Sequence, residues 1–221
     1  LNLDFSEGIY SGSPSPTQSL EFPSIYDINT AWGHISTAHE HKPVIGINGE
    51  GEAVHVDLDN ESPHVLVSAP TGAGKTTIVR SVAAQMLRNG AVATILDVKQ
   101  HSHSWAKGLP NVGYADSVTQ VGNALCELGR EVHRRNAIVT DWLMNRTPGD
   151  DRTVANAPVG PRIVVLFEEL NSTMDQLRAL TRRVPAGTYN ARDALNDCVF
   201  MGRAAKVHFV ANLQCPDFRI I

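Results

Sequence analysis

The chain has 221 residues, of which 42% are hydrophobic, which is enough for one sizeable core with room for a small appendage. Its formal charge of -4 at pH 7 excludes a global basic field for nucleic acid or anionic membranes, so any DNA contact must be local. Cys126, Cys198 and Cys215 are widely spaced without a CxxC pair, which indicates neither a disulfide framework nor a zinc site and fits a reducing cytosol.

The first elements in the chain are an arm and a hairpin. Residues 1–43 predict an N-terminal arm or linker, because SGSPSPT at 11–17 has the composition of a flexible segment. Val44–Ile47 and Ala53–Leu58 then alternate apolar and polar residues around the turn dipeptide Asn48-Gly49. This pattern predicts a β-hairpin that leads into the core.

Residues 44–221 predict one α/β domain, since short apolar runs alternate with segments of helical periodicity. Strands separated by helices imply a parallel sheet with helices on both faces. The predicted strands are 64–68, 91–97, 162–167 and 206–211, and the predicted helices are 77–88, 117–145 and 189–204. Residues 146–161 are expected to form a polar loop.

Residues 69–77, APTGAGKTT, fit the phosphate-binding (Walker A) pattern GxxxxGK[ST] except that Ala69 replaces the first glycine. They lie between a predicted strand and a predicted helix, which is the context that this motif requires. A triphosphate carries dense negative charge, and Gly72 and Gly74 allow backbone N–H groups to approach it without an intervening side chain. The start of the helix adds its positive dipole end.

This motif predicts ATP and Mg²⁺ as cofactors. We expect Lys75 to reach the β- and γ-phosphates and the Thr76 hydroxyl to ligate Mg²⁺. The predicted nucleotide-binding residues are Ala69, Pro70, Thr71, Gly72, Ala73, Gly74, Lys75, Thr76 and Thr77. The alternative is a glycine-rich turn that binds nothing, which Ala69 makes more credible because alanine is less free at positive φ.

A pair of acids ends the apolar run RIVVLFEEL at 162–170, as expected of a buried parallel strand whose carboxyl end faces the nucleotide. This is where a Walker B acid belongs. We expect Glu168 to hold the hydration shell of Mg²⁺ and Glu169 to orient or deprotonate the attacking water. Aspartate is usual at the first position, so the longer Glu168 predicts a metal contact that is shifted or mediated by water. The alternative is an exposed charged pair after a core strand.

The order of motifs from about Val44 to Pro216 resembles the FtsK/SpoIIIE family of DNA-pumping ATPases, including relatives in actinobacterial conjugation. The segments that carry the resemblance are PHVLVSAPTGAGKTT at 63–77, ILDVK at 95–99, EVHRR at 131–135, VVLFEEL at 164–170 and GRAAKVHFVANLQCP at 202–216. The resemblance implies a RecA-like P-loop ATPase that translocates double-stranded DNA as a ring, a hexamer in the full protein. The sequence stops soon after the last segment, so we expect a C-terminally truncated domain.

Further site residues follow from the resemblance. It implies that Gln214 is a polar sensor for the γ-phosphate, although a plain strand-capping glutamine is the alternative. It implies that Arg203 is an arginine finger for a neighbouring subunit, against the alternative of a surface helix arginine. Asp97 and Lys99 match the family's DPK with valine between them, and an ion pair at the strand end is the simpler account.

Two other groups of residues have weaker interpretations. Arg130, Arg134 and Arg135 fall on one helix and could contact DNA or a neighbouring protomer, although such a run is more often a solvated face. His101 and His103 lack a further ligand at zinc-like spacing, which favours an ordinary loop.

Three functions are therefore open. The first is the DNA-translocating motor, the second is an EccC-like ATPase of type VII protein secretion, and the third is a degenerate domain that binds nucleotide structurally. The most apolar stretches, 91–96 and 163–167, are far shorter than the roughly 20 residues of a membrane helix. We expect a cytoplasmic fragment without membrane contact. Because the chain begins at Leu1 and not at methionine, we expect it to be cut from a longer protein. A membrane anchor of that protein would lie outside this fragment.

Overall fold

The computed structural model describes residues 39–70, 72–181, 185 and 187–213. Most of the predicted N-terminal arm at 1–43 therefore lies outside the described residues, as do Thr71 and Gln214. The strands are β1 (Val44–Ile47), β2 (Ala53–His55), β3 (Val65–Ser68), β4 (Val92–Leu96), β5 (Val112–Ala115), β6 (Ile163–Phe167) and β7 (Val207–Leu213). The helices are α1 (Lys75–Arg88), α2 (Val118–Met144), α3 (Leu170–Thr181) and α4 (Ala191–Ala205), with a short 3-10 turn at Ser104–Ala106.

The main sheet has five parallel strands in the order β3-β7-β6-β4-β5. Strand β7, the last along the chain, lies between β3, which leads into the glycine-rich loop, and β6, which leads into the acid pair. All carboxyl ends meet at one edge, because parallel strands run in the same direction. The predicted α/β fold with a parallel sheet is therefore confirmed.

Helices cover both faces of this sheet. Along β6 the side chains of Ile163, Val165 and Phe167 pack against α2, α3 and α4, while Val164 and Leu166 pack on the side of α1. This alternation follows from the two-residue period of a strand, and burial on both sides explains the continuous apolar run.

The predicted β-hairpin is confirmed as the antiparallel pair of β1 and β2. Its loop is longer than the Asn48-Gly49 dipeptide, because the Asn48 side chain accepts the backbone N–H groups of Glu50 and Glu52 at 3.0 and 2.8 Å. Strand β2 is shorter than predicted. Residues 56–58 leave it, and Leu58 becomes fully buried in the core on the α1 side.

One strand and one α-helix of the structure were not predicted from the sequence. Strand β5 is a short edge strand that contains Gly113, and it pairs only with β4 in the part of the chain described here. Helix α3 begins directly after the acid pair, and Met174 and Leu177 on it are buried. None of the described helices is long and apolar enough to span a membrane.

Helices α2 and α4 approach closely at Gly129. A Cβ atom there would overlap the Tyr189 hydroxyl and lie 2.9 Å from the Cβ of Ala194. The absence of a side chain at Gly129 therefore sets the distance between the two helices.

Candidate nucleotide-binding site

The glycine-rich loop joins β3 to α1. Gly72 and Gly74 adopt φ angles of 83° and 85°, which side-chain-bearing residues rarely adopt, so both positions favour glycine. Among the described residues, left-handed backbone at non-glycine positions occurs at Gln100, Asn111, Glu169 and Lys206. Ala69 is not one of them, so alanine replaces the usual glycine there without backbone strain.

Helix α1 starts directly at the lysine of the loop. Its N-cap is Gly74, and no described side chain caps this end of the helix. The Lys75 ammonium donates to the carbonyls of Ala69 and Pro70 at 2.6 and 2.9 Å, so it folds back over its own loop. Thr76 is half-buried and Thr77 is exposed in the first turn. The loop therefore combines a lysine, a hydroxyl and an uncovered positive helix end.

The acid pair lies at the same edge of the sheet as the loop. Strands β3 and β6 are separated by β7, so their ends are roughly 10 Å apart, given about 4.8 Å between neighbouring strands. Glu168 is 5% exposed, and Glu169 is half-buried with a φ of 49°. Both acids precede the first turn of α3, where the helix dipole favours negative charge. Two acids therefore lie at the carboxyl edge of the sheet that also carries the glycine-rich loop.

Both oxygens of Glu168 have partners. The Nε2 atom of His103 is 2.6 Å from Oε1, and the side-chain amide of Asn212 donates to Oε2. The Oδ1 atom of Asn212 in turn accepts the backbone N–H of Glu169 at 2.8 Å. His103 lies in the loop after β4, but it is fully buried against the acid, a contact that sequence analysis did not predict. Sequence analysis also missed Asn212, which lies one residue before the end of β7.

Glu169 forms an ion pair with Lys99, whose ammonium lies 2.6 Å from its carboxylate oxygens. The predicted ion pair between Asp97 and Lys99 is therefore wrong. Asp97 is 1% exposed and accepts the Tyr114 hydroxyl at 2.8 Å. Burial, reinforced by Asp97, raises the pKa of Tyr114. Asp97 thus organises the loop after β4, while Lys99 reaches the acid pair.

Asp97 also accepts three backbone N–H groups of that loop, from Gln100, Ser102 and His103. These bonds fix the path of residues 97–103 across the carboxyl edge of the sheet. The sequence ILDVK indicates that Asp97 follows a buried strand, but it does not indicate which groups donate hydrogen bonds to Asp97.

The other predicted residues lie elsewhere. Arg203 is exposed in the last turn of α4, at the sheet edge opposite the glycine-rich loop, and donates to the Glu61 carbonyl at 3.3 Å. Gln214 lies outside the described residues. Within one chain, therefore, Arg203 is not brought to the acid pair.

Two of the three helix arginines have local partners. Arg135 is buried and donates to Glu131 and to the carbonyls of Pro161 and Ala205 at 2.7, 2.8 and 3.1 Å. Arg134 also donates to Glu131, and this contact, followed by that of Arg135, lowers the pKa of Glu131 to about 2. Arg135 therefore cannot belong to a solvated basic face, and Arg130 remains as an exposed candidate.

The residues present fit Mg²⁺ bound together with nucleotide. No group of three or more His, Cys, Asp or Glu side chains in the described part of the chain is placed to hold a metal by itself. A threonine hydroxyl from Thr76 and a carboxylate from Glu168 are, however, oxygen donors of the kind that Mg²⁺ takes alongside phosphate and water oxygens.

Known proteins are similar to this chain in sequence and in fold. No protein-family model matches the chain. The chain is 26% identical over 192 residues to the DNA translocase SpoIIIE of Bacillus subtilis, covering 80% of this chain and 23% of that protein. It is 25% identical to the DNA translocase FtsK of Lactiplantibacillus plantarum, covering 95% and 27%. The chain thus spans about a quarter of the length of these curated relatives.

Solved structures share the fold at lower identity. The pCW3 conjugation coupling protein TcpA, solved as a monomer with ATPγS, has a TM-score of 0.64 at 21% identity over 82% of this chain and 50% of its own. The cytoplasmic domain of EssC has a TM-score of 0.64 at 14% identity, covering 87% and 35%. The type VII secretion ATPase EccC of Thermomonospora curvata has a TM-score of 0.51 at 14% identity, covering 86% and 20%. The chain is therefore similar in sequence to the FtsK and SpoIIIE DNA translocases, as its motifs predict, and it has the α/β fold of these conjugation and secretion proteins.

Proposed function

We propose that this chain is an ATP-hydrolysing motor domain that moves double-stranded DNA within a ring oligomer. The observation that carries the proposal is the glycine-rich loop 69–77 at the same sheet edge as Glu168 and Glu169, with β7 between them. A triphosphate on the loop would face the acids across one intervening strand.

Nucleotide binding would begin at the loop. Lys75 would exchange the carbonyls of Ala69 and Pro70 for the β- and γ-phosphates of ATP, because a charged phosphate oxygen is the stronger partner for an ammonium. The backbone amides at Gly72 and Gly74 and the N-terminus of α1 would receive the remaining phosphate oxygens.

The acids would then serve hydrolysis. Thr76 and Glu168 would hold Mg²⁺, which neutralises charge on the β- and γ-phosphates when it is bound. Glu169 would orient the attacking water, and for this its carboxylate must leave Lys99 at least in part. Gln214, which follows β7 by one residue, would sense the γ-phosphate.

The position of Arg203 supports a ring only together with its proposed role as an arginine finger. The guanidinium lies at the far sheet edge from its own loop, so an arginine-finger role requires the nucleotide of a neighbouring protomer. The similarity to the DNA translocases SpoIIIE and FtsK supports DNA as the substrate. For the full protein we propose a hexamer. Grip on backbone phosphates would suit transport, since it does not depend on base sequence. The domain would work in the cytoplasm.

A second candidate is an ATPase that handles protein substrates. Its support is the likeness of fold to EssC and EccC, which is of the same order as the likeness to TcpA. The sequence similarity to DNA translocases favours DNA.

ATPase rates with and without duplex DNA, measured over a range of protein concentrations, test the proposal. We expect turnover that rises with concentration and with DNA, is lost in Lys75→Ala together with nucleotide binding, and is lost in Glu169→Gln with binding retained. A response to secreted peptides but not to DNA would favour the second candidate. Turnover by Glu169→Gln equal to that of the parent chain would remove Glu169 from its role.

A further inference from the structure

We propose that His103 is a positioning residue that, together with Asn212, fixes the Glu168 carboxylate for the metal of the nucleotide site. The inference rests on the proposed function, because Glu168 is the residue expected to hold Mg²⁺. It concerns how a glutamate can serve where aspartate is usual. The argument starts from the burial of His103.

His103 is fully buried, and its Nε2 atom lies 2.6 Å from Oε1 of Glu168. An ionised carboxylate only accepts hydrogen bonds, so Nε2 must carry the donated proton. The other ring nitrogen, Nδ1, has no partner within the described part of the chain. A buried polar atom without a partner costs free energy, so an apolar side chain would suit this position better if packing were its only role. The hydrogen bond to Glu168 is the contact that explains a histidine at this buried position.

The protein holds the imidazole from its backbone side as well. The N–H of His103 donates to Oδ2 of Asp97 at 3.2 Å, and Asp97 is itself buried at the end of β4. The ring of Trp105 packs edge-on to the imidazole, with the centroids 6.4 Å apart. His103 is therefore presented to Glu168 from a fixed loop rather than from a free surface.

Asn212 completes the arrangement from the other side. Its amide donates to Oε2 of Glu168, and it projects from β7, which pairs with β6 as far as Ala211 and with β3 at Asn212 itself. Each carboxylate oxygen thus has one donor, and the two donors come from separate elements. Together they define the plane of the carboxylate and leave further lone pairs on both oxygens.

This arrangement matters because glutamate has one more rotatable bond than aspartate. An unrestrained Glu168 would spread its carboxylate over several rotamers, and ordering it on metal binding would cost entropy. With His103 and Asn212 in place, the carboxylate is ordered before the metal arrives. Partners of this kind change metal affinity or activity by about 10- to 100-fold when they are removed.

The test compares three variants in the chain as it exists. His103→Leu removes the donor at similar volume, His103→Gln keeps an N–H donor at a similar reach, and His101→Leu is a matched control at an exposed position of the same loop. The first measurement is the Mg²⁺ concentration that half-saturates binding of ATPγS. We expect His103→Leu to raise it at least about tenfold, His103→Gln to restore most of the loss, and His101→Leu to match the parent chain. Affinity for ATPγS without Mg²⁺ should not change in any of them.

A second measurement does not depend on nucleotide or on activity. The ¹⁵N resonances of the His103 ring should show a protonated Nε2 whose signal moves when Glu168 is replaced by alanine and stays in place in His101→Leu. Unchanged resonances in the Glu168 variant would overturn the contact itself. Parent-like Mg²⁺ dependence in a folded His103→Leu variant, or equal losses in the leucine and glutamine variants, would overturn the positioning role. Absence of ATPase activity in the parent chain, with the resonances as expected, would instead count against the proposed function.

Discussion

Lys99 lies against the carboxylate of Glu169, with its ammonium 2.6 Å from both oxygens. The lysine side chain is 59% exposed and the glutamate side chain 26% exposed, so solvent reaches this ion pair. In this arrangement the ammonium contacts the two Glu169 oxygens that would otherwise accept a hydrogen bond from the attacking water. The contact therefore opposes the role proposed for Glu169.

Replacing Lys99 by methionine should raise the ATPase rate measured without DNA. An ion pair exposed to this degree is worth about 0–1 kcal/mol, so the increase should not exceed about fivefold. Lys107→Met is a suitable control, because Lys107 pairs with Asp116 at 3.3 Å instead of with the acid pair. A lower rate in Lys99→Met would show that the lysine assists the reaction.

Alanine at Gly72 or Gly74 should weaken ATP binding. A Cβ atom meets nothing within 4 Å at either position, so the effect would come from the backbone, which is held at φ angles of 83° and 85°. We expect each substitution to cost about 1–2 kcal/mol in the loop conformation and to weaken ATPγS binding about tenfold or more. Gly46→Ala is the matched control, since it is equally open and has no positive φ. Equal effects at all three positions would refute this account.

The free energy of unfolding should decrease as the pH is lowered, because His208 is buried as a neutral ring. Burial, aided by the charge of Arg162, lowers the pKa of His208 to about 3. Arg162 must donate to Nε2, so Nδ1 carries the proton that is donated to the Pro63 carbonyl, and the ring is neutral. In the unfolded chain the ring takes up a proton below about pH 6.5. The unfolded state therefore binds more protons, and stability is lost as the pH falls from about 6.5 towards 3.

Urea unfolding at two pH values measures this contribution. From about pH 7.5 to about pH 5 the parent chain should lose about 2 kcal/mol more of its unfolding free energy than His208→Gln does. The variant should be less stable at neutral pH, because it breaks the contacts of a buried side chain. The quantity to compare is therefore the change of unfolding free energy with pH in each protein. His101→Asn, at an exposed position, should keep the parent slope. Parallel slopes for the parent chain and His208→Gln would contradict the neutral buried ring.

Gly129→Ala should destabilise the packing of α2 on α4. Its Cβ would overlap the Tyr189 hydroxyl and lie 3.0 Å from the Cα of Ala194, so the helices must separate, at a cost of about 1–3 kcal/mol in unfolding free energy. Gly122→Ala on the same helix is the control. There the Cβ meets the flexible end of Leu177 at 3.3 Å, and the better helix propensity of alanine should offset the contact. Similar losses in both variants would show that helix spacing is not set at Gly129.

The parts of the fold that the sequence predicted are those with strong local signals. The run at 163–167 is apolar throughout because β6 is buried on both faces, and residues 69–77 carry their own motif. Strand β5 escaped because it is short, lies at an edge and contains Gly113, which leaves little alternation to detect. Helix α3 was not predicted, although Leu170, Met174 and Leu177 recur at helical spacing.

The candidate site was predictable only where neighbours in sequence are neighbours in space. Glu168 and Glu169 follow one strand, so their position was readable from the chain. The contact of His103 with Glu168 joins residues 65 apart, and no local pattern encodes it. The resemblance to translocases indicates Gln214 and gives no signal for Asn212, whose contact with Glu168 also joins distant residues. Long-range pairing of this kind depends on strand order, which the sequence alone left open.

Strand β7 is paired on both sides, with Val210 in register with Val65 of β3 and with Leu166 of β6. Sliding it along its own axis would break two hydrogen-bonded ladders at once. The position of Asn212 along the strand direction is therefore fixed relative to the end of β3, which leads into the glycine-rich loop, and to the end of β6, which leads into the acids. Any change in the distance between the glycine-rich loop and the acids has to come from rotating side chains or from the loops themselves, because the strands beneath them keep a fixed register.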